Sequence, residues 1–83
     1  MTPLRIFEEL QHSWYNESKY TVDWSKARAE YFIDDTNADK GVYTLLVYVL
    51  SVRGKHAAVG CYDYDSKEQA ENIISKLNEL YFN

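Results

Sequence analysis

The chain has one cysteine, one proline and three glycines in 83 residues. A lone Cys61 excludes an intrachain disulfide framework and a zinc site built on several thiolates. So little Gly and Pro argues against a disordered or low-complexity chain. The longest apolar-rich run, residues 42–52, is too short to cross a bilayer as a helix. Met1-Thr2-Pro3-Leu4 shows neither the basic segment nor the apolar core of a secretory signal, so a soluble protein in the reducing cytoplasm is expected, with no membrane partner. Positive charge is also scarce: nine Lys and Arg stand against thirteen Asp and Glu, for a net charge of −4. Phosphate contacts supply much of the affinity of nucleic-acid binders, so this balance disfavours direct nucleic-acid binding and favours a protein partner.

Aromatic residues are abundant, with eight Tyr, two Trp and three Phe. Large rings bury much area at low entropic cost, which suits a small core. The length fits one domain over residues 1–83.

Hydrophobic spacing predicts the elements. Thr2-Pro3 reads as an N-cap followed by Pro at the first helical position. Leu4, Phe7, Leu10 and Trp14, with Ile6 beside them, then make an amphipathic helix ending near Tyr15-Asn16. Between residues 19 and 33 two patterns compete. Ala27, Ala29, Tyr31 and Ile33 alternate with Lys26, Arg28, Glu30 and Phe32 as in a half-buried strand, whereas Trp24, Ala27 and Tyr31 fit a short helix capped by Asp23. The strand is preferred, because Tyr-Phe-Ile suits a pleated surface and acidic turn residues follow at once. Residues 42–52 are apolar on both alternating faces, as expected of a central strand. Arg53-Gly54-Lys55 supplies a turn and His56 to Tyr64 a returning strand. Ser66-Lys67-Glu68-Gln69 has capping-box spacing, and Ala70, Ile73, Ile74, Leu77, Leu80 and Tyr81 form the apolar stripe of a last helix. The expected fold class is α+β: a two-layer sandwich in the order α-β-β-β-α, a three-stranded antiparallel meander with both helices on one face.

A meander of this kind brings two acidic segments to one end of the sheet. Asp34, Asp35 and Asp39 come from the first turn, and Asp63, Asp65 and Glu68 from the third strand and the helix start. Carboxylates also suit the positive N-terminus of a helix, so Asp65 and Glu68 have a structural reason to be there. Arg53, Lys55, His56 and Lys26 collect at the opposite end. Tyr62 and Tyr64 share a side of the third strand and, with Tyr43 or Tyr48, are expected to form an exposed aromatic platform, since Tyr is enriched in interface cores.

Catalytic and metal constellations fail one by one. Asp35-Thr36-Asn37-Ala38-Asp39 matches the first half of a calcium loop, but Lys40 stands where Gly is needed and Leu46 where a bidentate Glu is needed. Cys61 and His56 are five positions apart on one strand, so strict alternation puts them on opposite faces and breaks a nucleophile pair. Cys61 is then expected to be a small buried hydrophobe. No cofactor, metal or enzymatic activity is expected.

Two family resemblances bear on the reading. Pro3-Leu4-Arg5-Ile6-Phe7-Glu8-Glu9-Leu10-Gln11 and Ser66-Lys67-Glu68-Gln69-Ala70-Glu71, with the α-β-β-β-α order, resemble the double-stranded-RNA-binding domain. In that family lysines at the second-helix start bind phosphate; here Glu68 and Glu71 occupy two of those places, reversing the sign of the clamp. In length, acidity and element order the chain also resembles small acidic phage proteins that disable host defence, including anti-CRISPR inhibitors. That likeness implies carboxylates standing where a nuclease expects phosphate, inside the host cytoplasm. The expectation is therefore a non-enzymatic inhibitor whose partner presents a basic, nucleic-acid-handling surface. A nucleic-acid-binding module of double-stranded-RNA-binding topology, or a structural subunit whose tyrosine-rich face pairs with itself as a homodimer, are the alternatives.

Overall fold

Elements follow in the order α1 (Pro3–Gln11), β1 (Arg28–Asp34), β2 (Tyr43–Leu50), β3 (His56–Tyr64) and α2 (Lys67–Leu80) in the computed structural model, the α+β arrangement expected. The structure describes residues 1–12 and 21–82. The strands form one antiparallel sheet in the order β1-β2-β3.

Local chemistry accounts for the helix starts. The Thr2 hydroxyl accepts from the Arg5 N–H at 3.2 Å, and Pro3 opens α1, where a missing N–H costs nothing. Ser66 caps α2 by accepting from the Gln69 N–H at 3.2 Å, while the Gln69 side chain accepts from the Asp65 N–H at 3.1 Å. α1 closes at Gln11 with His12 as its cap, short of the end expected from spacing; Trp14, Tyr15 and Asn16 lie outside the described residues. Of the two patterns competing before β1 the strand is realised, with Tyr31 in it, and the helical one only in its first turn. Asp23 caps a 3-10 turn over Trp24–Lys26, and the strand begins two residues later.

Both helices lie on the same sheet face. Beneath them are Ala27, Leu45, Val47, Val49 and Ala58, closed by Ile6, Leu10, Ala70, Leu77 and Phe82. Phe7 stacks on Tyr81 with centroids 4.3 Å apart and meets Trp24 and Phe82 edge-on, so rings tie the middle of α1 to the C-terminal end of α2. Leu4 and Leu80, expected in the apolar stripes, are exposed. They sit at the margins of stripes whose centres, Ile6 with Leu10 and Ala70 with Leu77, already cover the sheet. No helix among the described residues is long and apolar enough to cross a membrane.

A β-bulge interrupts the β2–β3 pairing. Val49 pairs with Ala58 but Leu50 with His56, leaving Ala57 as the extra residue. That slip turns His56 onto the face opposite Ala58, Gly60, Tyr62 and Tyr64, against the expectation from strict alternation.

Candidate functional site: the open sheet face and its acidic end

The sheet face away from the helices is covered by no described element. The register arranges it in four rows across β1, β2 and β3: Arg28–Leu50–His56, Glu30–Tyr48–Val59, Phe32–Leu46–Cys61 and Asp34–Thr44–Asp63. Its character therefore changes along the strands from basic, through an apolar and aromatic middle that also carries Glu30, to acidic. Phe32 is 58% exposed in the third row.

The acidic row is ordered by its own hydrogen bonds. Thr44 donates its hydroxyl to Asp63 Oδ1 at 2.6 Å. Asp34 Oδ1 accepts from both the Thr36 hydroxyl and the Thr36 N–H, and these bonds hold its carboxyl below the ordinary value of 3.8. Two inter-strand spacings separate the backbones of Asp34 and Asp63 across Thr44, roughly 10 Å. Asp35 and Asp39 are exposed on the connection to β2, where a 3-10 turn over Ala38–Lys40 closes on Gly41 at φ 73°. Asp65 follows β3 directly, and Glu68 lies in the first turn of α2. All six acids thus border one end of the sheet, with Lys40 and Lys67 among them.

Tyr62 and Tyr64 are not part of the open face. They point to the helix-covered side, half-buried and packed against the core, because they share parity with Leu45 and Val47. Burial raises both phenols above the ordinary value of 10.0, and the Glu9 carboxylate adds to the rise at Tyr62. Of the rings expected in an exposed platform, Tyr48 does lie on the open face, beside Phe32 and Leu46, while Tyr43 pairs with Tyr64 on the other. A signal for this was present in the sequence: Phe32 alternates in step with Arg28 and Glu30, so an aromatic ring falls on the charged face of its strand.

Tyr64 Oη is buried without a hydrogen-bond partner among the described residues, whereas Tyr31 donates its hydroxyl to Asn78 Oδ1 at 2.8 Å. Tyr64→Phe should therefore leave stability unchanged or raise it by up to about 1 kcal/mol, and Tyr31→Phe should lower it by about 1 kcal/mol. Urea midpoints of the two variants check the contrast.

Cys61 is exposed on the edge strand, not buried as expected, because the face it shares with Val59 and Asp63 is the open one. The bulge also brings Cys61 and His56 to the same face, so alternation no longer separates them. Distance does: the two lie two rows apart, roughly 13 Å along the strand. His56 Nε2 instead meets Glu30 Oε1 at 2.7 Å, and its ring stacks on Tyr48 at 4.7 Å.

The basic end holds a shallow cavity of about 280 Å³, bordered by Lys26, Arg28, Val52 and Gly54. Arg28, Arg53 and Lys55 make no ion pair among the described residues. The described residues also contain no cluster of three His, Cys, Asp or Glu side chains placed to hold a metal ion.

Comparisons with protein-family models, curated proteins and solved structures return no match.

Proposed function

We propose that this chain is a non-enzymatic binding protein that uses the acidic end of its sheet to engage a basic protein surface. The target class is a nucleic-acid-handling complex, such as a CRISPR or restriction effector, and the effect is inhibition of that complex. The observation that carries this reading is the convergence of Asp34 and Asp63 on one open face, each carboxylate oriented by a threonine hydroxyl. Ordered carboxylates present the charge that Arg- and Lys-lined channels meet on phosphate, and they steer encounter as well as holding the complex. Asp35, Asp39, Asp65 and Glu68 extend the charge around the rim. Phe32 and Tyr48 supply the aromatic anchors first expected of Tyr62 and Tyr64.

The test is displacement of a labelled oligonucleotide from purified effectors of both kinds. Wild type should displace it, and a triple variant Asp34→Lys, Asp63→Lys, Glu68→Lys should be at least ~100-fold weaker while keeping its circular-dichroism spectrum. Equal potency of the two proteins would overturn the acidic-end reading.

The basic end favours one other function, a nucleic-acid-binding module, because Arg28, Arg53 and Lys55 make no ion pair among the described residues and Arg28 and Lys26, with Asp23, line a cavity there. Low-salt gel shifts with single- and double-stranded RNA and DNA separate the two. Retardation lost on reversing Arg28 and Lys55 would support it.

A further inference from the structure

We propose that the open sheet face docks a second copy of this chain, face to face, with the strands of the two copies running in opposite directions. The inference stands on the row pattern of that face and does not depend on the acidic end having another target.

Charge order along the strands selects the partner. A closed dimer has a twofold axis, and between two stacked sheets that axis lies in the plane separating them. With the axis perpendicular to the strands, each strand lies over its own copy reversed, so the first row meets the last and the second meets the third. Asp34 then stands opposite Arg28 of the second copy, and Asp63 opposite His56 of the second copy. Leu46 falls on Tyr48, and Cys61 on Val59. Every such contact occurs twice. With the axis parallel to the strands, Asp34 and Asp63 would instead face the same acidic row, and like charges would oppose that stacking. Glu30 is the one less favourable member, lying opposite Phe32, but its carboxylate is already turned to His56 within its own chain.

The centre of the face suits contact with another protein surface. Phe32 is 58% exposed, and Leu46, Tyr48, Leu50 and Val59 flank it with partly exposed side chains. Three strands of seven residues present a footprint of roughly 14 by 23 Å, or about 330 Å² per copy. Stable complexes bury about 800 Å² per partner, so this pairing is weak and reversible, populated at high micromolar concentration and above. A basic target would compete for Asp34 and Asp63, which makes the dimer a resting form that target binding opens.

Sedimentation velocity on the purified full chain tests this, from micromolar to millimolar and at low and high salt. The expected result is a monomer–dimer equilibrium that salt weakens. Asp34→Arg alone and Arg28→Asp alone should each weaken self-association at least tenfold, since each places like charges at both contacts. An equimolar mixture of the two variants should recover association as a mixed dimer, because both contacts are then opposite in sign. Phe32→Asp, at an exposed position that leaves the core intact, should abolish it. A wild-type chain that stays monomeric at millimolar concentration would overturn the proposal. So would a dimer indifferent to these reversals and to mixing, which is the behaviour of edge-strand pairing through β1 or β3. No effector enters this experiment, so its failure is separate from failure of the acidic-end reading.

Discussion

Leu45→Ala should destabilise the fold by about 3 kcal/mol, whereas Leu46→Ala, one residue on, should cost about 1 kcal/mol or less. The difference is one of face alone. Leu45 is fully buried under the helices between Ile33 and Tyr62, its neighbours in register, while Leu46 lies on the open side between Phe32 and Cys61. Truncation beneath a helix leaves a cavity that a close-packed core cannot fill; truncation on an open face is relieved by water. An 83-residue chain has roughly 4–12 kcal/mol of total stability, so the first change removes a large fraction of it. Urea unfolding at dilute, monomeric concentrations checks both variants. Equal costs would mean that the sheet's two faces have been exchanged.

Gly60→Val should destabilise by about 2–3 kcal/mol, even though valine ordinarily favours a strand by up to about 1 kcal/mol over glycine. The Tyr62 ring folds back over Gly60, so an added Cβ would stand 2.5 Å from Tyr62 Cε2 and 2.7 Å from its Oη. That ring is packed against the core with the Glu9 carboxylate beside it, so it cannot swing aside without losing its contacts. The same Gly60→Val change in a Tyr62→Ala background meets no ring and should be neutral or stabilising. A double-mutant cycle should therefore show coupling above about 1 kcal/mol. Identical effects of Gly60→Val in both backgrounds would contradict this packing.

Where local chemistry sets the structure, residues alone sufficed to read it. Thr2-Pro3 and Ser66 through Gln69 carry their helix starts in their own hydrogen-bonding groups. Alternation over residues 27–33 and 42–52 marked strands, and short turns made a meander the simplest way to join them. The acidic end was legible for the same reason: once three consecutive strands form a meander, the residues after the first and at the end of the third must share one end of the sheet. Asp34 and Asp63 are indeed joined across Thr44.

Which face the helices cover was legible only in β1, where Arg28 and Glu30 alternate with Ala29, Tyr31 and Ile33. In β3 alternation sorts residues into two sets without saying which is buried, and β2 is apolar in both. Alternation in β3 therefore favours neither set, and the tertiary structure turns Tyr62 and Tyr64 toward the helices and Cys61 to the open face, against expectation. The bulge at Ala57 was invisible for a related reason. It arises from how β3 must pair with Leu50 and Val49 while entering from the Arg53-Gly54-Lys55 turn, which no single strand encodes.

By itself the sequence determined element order, helix caps and the gathering of acids at one end, all consequences of short-range bonding and chain connectivity. Only the tertiary structure decided what stands beside those acids, because burial is a competition between two faces for one pair of helices. The helices took the face on which Ala29 and Ala58 flank Val49, Gly60 borders Val47, and Ile33 and Tyr62 enclose Leu45. What remains outside is a graded surface from Arg28 and His56 to Asp34 and Asp63, with Phe32 near its centre.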